Sequence, residues 1–578
     1  MIDKLVDLSR KGVKSLVTMG PEETMKKIVK FSKKRYFMKY GINKLHLTPA
    51  RILEKQRKDI SISKIKFSII TPLYNTPQKF LRELIESLQE QTYGNWELCL
   101  ADGSDRDHLY VEKICRRYME NDHRIKYSRL SKNNGISENT NECIKMASGD
   151  YLGLLDHDDL LHPAALYEVV KVIEQKNAEF IYTDEVKFSE RPDQIMSVSN
   201  FNFKPGFGKD ELRAHNYICH FTVFAKRLLD KEEKLYRKEY DGSQDHDMVL
   251  RLTEKAHTIV HIPKVLYYWR VHSNSVSMDI GTKPYVVDAA LGAIGSQLER
   301  CKEPGEVMSN FPYQTIYRVK YELKERPLVS IIMLKEEKNW KNPKPVTAQE
   351  ILKKTQYRPL EIIVENSAEE VVEGEGISIK TVSTEGVNSK GSRMDKMISK
   401  SNGSVIVLTE DTMQPDSGEW LEEMLMFAQR QDVGSVGAKI FMNNSKIYYA
   451  GGVIDWGIPE CVKYIGEGRE KNDDGYEAIL THVRNTSITL SKCMMFQKEL
   501  WTLYGGFQNA PSGFEAEDFC LWLIDQKKKN VWCRFSEWTC CNEEIEAEKD
   551  GTAFRERWKD TFGEDEYYHP NWKKLSLV

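Results

Sequence analysis

From residue 65 onward, short apolar runs alternate with amphipathic stretches. Apolar runs at 66–70, 96–100 and 151–155 predict strands, and amphipathic stretches at 81–88 and 136–146 predict helices. This alternation is typical of an α/β protein with a mostly parallel sheet. Ligands bind at the carboxyl ends of such strands, and these three strands lead into polar or acidic loops. We therefore expect one acidic crevice at that edge of the sheet.

The apolar pattern repeats in the second half of the chain. The run at 328–332 resembles the first strand, the run at 360–364 matches the one at 96–100, and the run at 403–408 resembles 149–154. A repeat of about 260 residues predicts two tandem domains of one fold. The predicted organisation is a basic helical arm over 1–60, a first domain over 65–300, a linker over 301–326 and a second domain over 327–578.

Composition narrows the class of protein. The 578 residues carry 84 Lys and Arg against 87 Asp and Glu, a balance that argues against a nucleic-acid partner. No apolar run approaches the roughly 20 residues of a membrane-spanning helix, and the start of the chain does not resemble a signal peptide. The 11 cysteines contain no CxxC pair and indicate reduced thiols. We expect a cytoplasmic protein.

The charge is concentrated at the beginning of the chain. Residues 1–59 carry a net charge of +10, and apolar residues at helical spacing predict an amphipathic helix there. One interpretation is an arm that lies on the anionic inner face of the cell membrane, as a peripheral contact. The alternative is an arm packed on the body of the protein or on a partner chain. The sequence favours neither.

Two aspartates at a predicted strand end are the strongest candidate for metal chemistry. Asp156 and Asp158 stand two residues apart after the strand at 151–155, so their side chains point the same way. Two convergent carboxylates suit Mg²⁺ or Mn²⁺ together with phosphate oxygens. The alternative is an acidic, solvated turn.

Three further residues have both a functional and a structural interpretation. Asp102, at another strand end, either accepts a hydrogen bond from the N3–H of uracil or thymine or caps its own turn. Asp245, near a predicted helix start, is either a general base or a complement to the helix dipole. His272 is either a metal ligand or a structural histidine.

A set of motifs in a fixed order resembles the bacterial family 2 glycosyltransferases, which have the GT-A fold. The matching segments cover about 67–300; they are 67–75, 91–93, 134–137, 156–159, 182–185, 242–245 and 268–272. The second half resembles the second transferase domain of long, two-domain members that build surface polysaccharides. The resemblance thus implies two tandem GT-A-like domains preceded by the basic arm.

The resemblance implies a role for each matching residue. Donor binding would fall to Thr71, Pro72, Tyr74, Asp102 and Asp156. The divalent cation, Mn²⁺ or Mg²⁺, would be held by Asp158 and His272, the catalytic base would be Asp245, and the sugar or acceptor site would be lined by Asp184 and Glu185.

The implied activity is an inverting, metal-dependent transfer of a hexosyl or rhamnosyl group. The donor would be a UDP- or dTDP-linked sugar, and the acceptor a glycan or lipid-linked molecule in bacterial cell-surface polysaccharide biosynthesis. The alternative is a non-catalytic scaffold or glycan-binding protein built from degenerate transferase domains. A sugar-phosphate nucleotidyltransferase ranks lower, because 71–75 lacks the Gly-rich, basic phosphate loop expected after the first strand.

The second copy departs from the first at these positions. It has Asn366 in place of Asp102, and Glu410 and Thr412 in place of Asp156 and Asp158. Only Asp518 matches the position of the base. We expect this copy to be catalytically silent or much altered, although Glu410 and Asp411 leave a shifted cation site as the alternative.

Overall fold

The computed structural model describes residues 41–272, 284–310, 312–336, 345–367, 372–541 and 550–578. Most of the predicted arm, residues 1–40, lies outside this part of the chain. The chain forms two units. The first consists of Met1–Lys204, His220–Leu235 and Ala256–Asp279, and the second of Pro205–Cys219, Tyr236–Lys255 and Ile280–Val578. The predicted domain boundaries stay predictions.

The first unit is built on one mixed sheet flanked by helices. Its described strands are β1 (Phe67–Leu73), β2 (Trp96–Asp102), β3 (Ile125–Arg129), β4 (Tyr151–Leu154), β5 (Leu160–Leu161), β6 (Phe180–Phe188), β7 (Phe201–Asn202), β8 (Thr222–Ala225) and β9 (Ile259–Arg270). Its helices are α1 (Ala50–Arg57), α2 (Gln78–Gln89), α3 (Tyr110–Asn121), α4 (Ile136–Lys145) and α5 (Ala165–Lys176). The strand order is β3-β2-β1-β4-β8-β6-β9-β5, with β7 beside β6. The first four strands are parallel, as predicted.

Strand β1 continues past the point where the sequence pattern predicts its end. All seven residues of β1 are buried, because the strand lies inside the sheet. Its pairing with β4 ends at Ile70, but its pairing with β2 continues through Pro72 to Leu73. A proline without an N–H is tolerated where one neighbouring strand has ended. This extension brings the end of β1 beside Asp102.

The described end of the predicted arm packs within the first unit. Gln56 of α1 donates to the Glu168 side chain at 3.2 Å and accepts from the Thr92 hydroxyl at 3.0 Å. His46 lies 3.3 Å from the Tyr268 hydroxyl. For these residues, the structure favours an arm packed on the body of the protein. None of the described helices is both long and apolar enough to span a bilayer.

The second unit holds a larger mixed sheet and two small hairpins. Its strands are β10 (Gly305–Asn310), β11 (Tyr313–Tyr321), β12 (Val329–Leu334), β13 (Leu360–Glu365), β14 (Val372–Gly374), β15 (Ile377–Val382), β16 (Val405–Glu410), β17 (Met413–Pro415), β18 (Val433–Met442), β19 (Ile447–Tyr449), β20 (Gly452–Ile454), β21 (Val462–Tyr464), β22 (Arg484–Thr486), β23 (Cys493–Gln497) and β24 (Lys529–Cys540). Its helices are α6 (Lys209–Ala214), α7 (Gln244–Lys255), α8 (Pro284–Cys301), α9 (Ala348–Lys353), α10 (Lys390–Ser399), α11 (Trp420–Ala428), α12 (Lys498–Tyr504), α13 (Glu515–Asp525), α14 (Thr552–Phe562) and α15 (Pro570–Leu575).

The two sheets share one topology, which confirms the predicted repeat. The second sheet contains the order β15-β13-β12-β16-β23-β18-β24-β17, with β14 added beside β15. Position by position, this path matches β3-β2-β1-β4-β8-β6-β9-β5 of the first sheet. The parallel and antiparallel pairings match as well, for example β12 parallel to β16 as β1 is parallel to β4. The predicted α/β class with a second GT-A-like copy is therefore confirmed.

The stretch predicted as a linker carries regular structure. Strands β10 and β11 pair antiparallel within 301–326 and belong to the second unit. The residues of β11 alternate in type between 317 and 321, and Tyr317, Val319 and Tyr321 are buried. The Pro, Glu and Lys content around this stretch masked a period-two pattern that is typical of a strand.

Candidate functional site

The acidic loop after β4 is held in place by β9. Asp159 is buried, and its two carboxylate oxygens accept hydrogen bonds from the Tyr267 hydroxyl at 2.6 Å and from the Arg270 backbone N–H at 2.7 Å. Asp156 lies in the same loop with a side chain that is 54% exposed. Asp159 thus fixes the shape of a loop that presents Asp156 toward solvent.

Asp158 and His272 lie together, although 114 positions separate them in the chain. The Nε2 atom of His272 is 2.8 Å from Oδ2 of Asp158. The His272 ring also contacts Phe80, with ring centroids 5.5 Å apart. The structure therefore brings together the two residues predicted to hold the metal. Their role in metal binding stays a prediction.

His220 is a member of this site that sequence reasoning missed. Its Nε2 atom is 3.4 Å from Asp156 Oδ2, and its Nδ1 atom is 3.4 Å from Glu185 Oε2. Its ring stacks on Tyr267 with centroids 4.7 Å apart and an interplanar angle of 12°. A lone histidine before an apolar strand carries no periodic or motif signal, so the sequence offered no means of selecting it.

The charges around His220 shift the pKa values of the cluster. Burial lowers the pKa of His220, but the carboxylates of Asp156 and Glu185 prevail and raise it well above its usual value. Burial raises the pKa of Glu185, but Lys204 and then His220 lower it to about 2. Burial, and then the charges of Asp158 and Asp156, raise the pKa of Asp159 well above its usual value.

The donor atoms of this cluster fit a hard divalent cation. One ligand atom each from Asp156, Asp159 and His220 lies within 4.8 Å of the other two. Within the described residues, no lysine or arginine forms an ion pair with the side chain of Asp156, Asp158 or Asp159. Carboxylate oxygens with imidazole nitrogens are a ligand set for Mn²⁺ and, with fewer nitrogens, for Mg²⁺.

Asp102 lies at the end of β2 and is fully buried. Its carboxylate accepts hydrogen bonds from the Ser104 backbone N–H at 2.8 Å, the Tyr127 hydroxyl at 2.7 Å and Arg129 Nη1 at 2.6 Å. The bond to Ser104 is the turn cap that the sequence offered as one interpretation. A carboxylate has about four acceptor positions, so one remains for a ligand.

The residues predicted to touch the nucleotide surround this strand end. Thr71 and Pro72 lie in β1, and Tyr74 follows it with 47% of its surface exposed. The hydroxyl of Thr71 is buried and has no hydrogen-bond partner among the described residues.

Asp184 and Glu185 are buried in β6, below the acidic loop. Asp184 Oδ1 accepts from the Lys204 backbone N–H at 3.0 Å and lies 2.8 Å from His261 Nε2. Glu185 forms an ion pair with the buried Lys204 ammonium at 2.9 Å. Among the described residues, His220 links Glu185 to Asp156 of the acidic loop. The predicted role of both acids in the sugar or acceptor site stays a prediction.

Asp245 belongs to the second unit. It is the second residue of α7, where the helix dipole favours a carboxylate. Its Oδ2 atom accepts a hydrogen bond from Asn216 Nδ2 at 3.0 Å. Asn216 lies in the segment Pro205–Cys219 of the same unit. Asn216 belongs to no motif or periodic pattern that would have selected it from the sequence.

The corresponding strand end of the second sheet has different chemistry. Glu410, the last residue of β16, forms ion pairs with Lys390 at 2.8 Å and with Lys492 at 2.6 Å. Burial raises the pKa of Glu410, but these two ammonium groups lower it well below its usual value. Asn366, in place of Asp102, donates to the Thr384 hydroxyl at 2.9 Å.

The carboxylate of Asp518 also forms hydrogen bonds with neighbouring side chains. It is the fourth residue of α13, and its carboxylate accepts hydrogen bonds from the Tyr504 hydroxyl and from Trp558 Nε1. Arg557 Nε lies 3.3 Å from the same carboxylate, which is fully buried. Asp518 thus differs from Asp245 in its position along the helix, fourth and not second, and in its hydrogen-bond partners.

Comparison with known proteins identifies a family match within the first half of the chain. The model of glycosyl transferase family 2 matches residues 68–233. The uncharacterized protein y4gI of Sinorhizobium fredii is 32% identical over 534 residues, which cover 87% of this chain and 57% of that protein. The O-antigen biosynthesis protein RfbC of Myxococcus xanthus is 28% identical over 489 residues, covering 79% of this chain and 36% of that protein.

The chain thus spans 57% and 36% of the length of these two relatives. Among solved structures, TarS of S. aureus in complex with UDP-GlcNAc is 18% identical over 40% of this chain and 66% of that chain, with a TM-score of 0.34. The family match and the order of the motifs show that residues 68–233 of this chain belong to glycosyl transferase family 2.

Proposed function

We propose that this chain is an inverting, metal-dependent glycosyltransferase of bacterial cell-surface polysaccharide biosynthesis. It moves a hexosyl or rhamnosyl group from a UDP- or dTDP-linked donor to a glycan or lipid-linked acceptor. A relative named as an O-antigen biosynthesis protein supports this reaction class. So does a chondroitin synthase of Escherichia coli, which is 27% identical over 39% of this chain.

One observation carries the proposal. Inside the family 2 segment, Asp156 and Asp158 share one loop at the carboxyl edge of the sheet, and their described charged side-chain partners are the imidazoles of His220 and His272. Neither carboxylate has a lysine or arginine partner among the described residues, and a divalent cation would supply that positive charge. A non-catalytic scaffold would gain nothing from two neighbouring carboxylates without such a partner, so the observation favours an enzyme.

Residues of the first unit bind different parts of the donor. Asp158 and His272 hold the cation, and Asp156 meets the ribose or diphosphate. When bound, the cation offsets the negative charge that develops on the leaving diphosphate. Asp102 accepts a hydrogen bond from the N3–H of the nucleobase, a group that uracil and thymine share. Contacts of the nucleotide with Thr71, Pro72 and Tyr74 complete the donor site.

Asp245 serves as the general base. Its carboxylate takes the proton of the acceptor hydroxyl, whose oxygen then bonds to the anomeric carbon while the bond to the diphosphate breaks. Attack from the face opposite the leaving group inverts the configuration. General-base catalysis is typically worth about 10²–10⁴ in rate.

Substitution of the base tests this assignment. In Asp245→Asn, we expect donor affinity within twofold of wild type and a turnover at least a hundredfold lower, because the amide cannot accept the proton. Asp288→Asn, which changes an exposed aspartate of α8, is the matched control and keeps full turnover. Transfer by Asp245→Asn at the normal rate would show that another group is the base.

A donor screen tests the reaction class itself. Purified protein is incubated with UDP-sugars and dTDP-rhamnose, with and without Mn²⁺, and the released nucleotide diphosphate is measured. We expect release from one donor class that depends on Mn²⁺. Release without any metal dependence contradicts the cation site, and no release from any donor favours the scaffold alternative.

A further inference from the structure

The candidate base is carried by chain segments that fold with the second half of the protein. Pro205–Cys219 and Tyr236–Lys255 interrupt the first unit in sequence, but they belong to the second unit. Asp245 and its partner Asn216 lie in these two segments. The contacts of the two segments within the second unit therefore determine how this aspartate is held.

Asn216 is the direct partner of the base and has spare hydrogen-bonding capacity. Its amide Nδ2 donates to Asp245 Oδ2 at 3.0 Å. Its Oδ1 atom is buried and accepts no hydrogen bond from any described residue. A buried amide with only one of its polar ends satisfied costs free energy, so the surrounding structure must impose this position on Asn216.

The loop that carries Asn216 is fixed by a buried ion pair with the second sheet. Asp210 of α6 pairs with Arg430, which lies between α11 and β18, and both side chains are buried. Asn485 of β22 completes the arrangement, because its Oδ1 accepts from the Asp210 backbone N–H and its Nδ2 donates to Asp210 Oδ2, both at 3.1 Å. Asp432 holds the far side of the Arg430 guanidinium at 2.7 Å.

Two glycines allow the loop to approach this closely. A Cβ on Gly208 would lie 2.8 Å from Asn485 Oδ1, and a Cβ on Gly206 would lie 2.6 Å from the Glu566 carbonyl oxygen. The Gly206 N–H donates to that same oxygen at 2.7 Å. The backbone before Asn216 therefore rests directly on residues of the second half.

The helix that carries Asp245 is tied to the same loop. His246 Nε2 donates to the Leu212 carbonyl oxygen of α6 at 2.8 Å. The loop thus contacts the start of α7 at two points, the side chain of Asp245 and that of its neighbour. A shift of the loop would move or release the base.

We infer that the second half of this chain positions the catalytic base, with Arg430 and Asn485 as the positioning residues. This inference rests on the proposed function, and it assigns a mechanical role to the copy that lacks the metal-site residues. Loss of the Arg430 charge leaves the Asp210 carboxylate buried without its cation, so the loop must open toward water. The proposed cation ligands Asp158 and His272 belong to the first unit and lie outside the segment 205–219.

The test compares Arg430→Gln with a matched variant in the full chain. Arg393 forms an ion pair with Glu365 of β13 at 3.2 Å, and both residues are buried, so Arg393→Gln also removes a buried guanidinium from the second unit. We expect Arg430→Gln to lower the turnover of sugar transfer at least tenfold at an unchanged KM for the donor. Arg393→Gln keeps the turnover within twofold, and Arg430→Lys recovers part of it.

Hydrogen exchange gives a readout that does not depend on activity. Amides of 205–219 exchange at least tenfold faster in Arg430→Gln than in Arg393→Gln or wild type. Unchanged exchange of this segment overturns the inference, as does normal transfer by Arg430→Gln or an equal loss of transfer in both variants. Full activity of Asp245→Asn would also overturn the inference, because another group would then be the base. An inert wild type with the predicted exchange pattern refutes the proposed function instead.

Discussion

The ends of β4 and β16 occupy the same place in two sheets of one topology, yet their carboxylates have different partners. After β4, Asp156 and Asp158 contact only imidazoles among the charged side chains that the structure describes. At the end of β16, Glu410 lies between two ammonium groups. The second copy thus supplies from its own side chains a positive charge that, in the first copy, the proposed cation would supply.

The acid–base behaviour of the two strand ends reflects their different partners. Burial raises the pKa of both carboxyls, but the imidazole of His220 lowers that of Asp156, and the ammonium groups of Lys390 and Lys492 lower that of Glu410 well below its usual value. At the end of β16, two salt bridges thus lie where the first copy has its proposed cation site. This substitution gives a physical reason for the predicted silence of the second copy.

The largest effect should be on turnover, when a single acid is replaced by its amide at each of the two strand ends. Asp158→Asn removes a proposed cation ligand, so we expect the turnover of sugar transfer to fall at least a hundredfold. Glu410→Gln should change turnover by less than twofold. Steady-state transfer assays with saturating Mn²⁺ measure both. A hundredfold loss in Glu410→Gln would mean that the second copy is catalytic.

The second largest effect should be on stability, where we expect Glu410→Gln to lose more than Asp158→Asn. Glu410 and Lys492 are buried, so Glu410→Gln removes a charged hydrogen-bond partner of two ammonium groups and should cost about 2–3 kcal/mol in the free energy of unfolding. Asp158→Asn, at a partly exposed pair, should cost less than about 1 kcal/mol. Urea unfolding of both variants gives the comparison, and equal losses would contradict it.

A smaller effect should appear in the pH dependence of stability. The folded pKa of Glu410 lies below the ordinary value of 4.5, so its contribution is complete above pH 4.5 and is lost as the pH falls through the folded value. The stability gap between wild type and Glu410→Gln should be constant from pH 7 to pH 5 and shrink below pH 4.5. A gap that widens in acid would mean that the lysines do not stabilise this carboxylate.

Many strands of the two sheets could be predicted from the sequence, but the division of the chain into two units could not. Apolar runs located β1, β2, β4, β12 and β13 because buried parallel strands are apolar on both faces. The assignment of 205–219 and 236–255 to the second unit depends on contacts such as Asp210 with Arg430, 220 positions apart. No local pattern records a contact between residues so distant in sequence.

The candidate site was predictable only where a motif named its residues. Asp158 and His272 matched family motifs, and the structure places them 2.8 Å apart. His220, Lys204 and Asn216 had no motif or period, and only the fold brings them to the acids. Lys390 and Lys492 likewise belong to no motif, and only the fold brings them to Glu410.

Metal stoichiometry of the full chain is the most direct test of the central claim, that the first strand end takes a divalent cation and the second does not. Calorimetric titration with Mn²⁺ in the presence of UDP should give one ion per chain, and the same one ion in Glu410→Gln. The binding should disappear in Asp158→Asn. Two ions per chain, or a single ion that is lost in Glu410→Gln and kept in Asp158→Asn, would contradict the account.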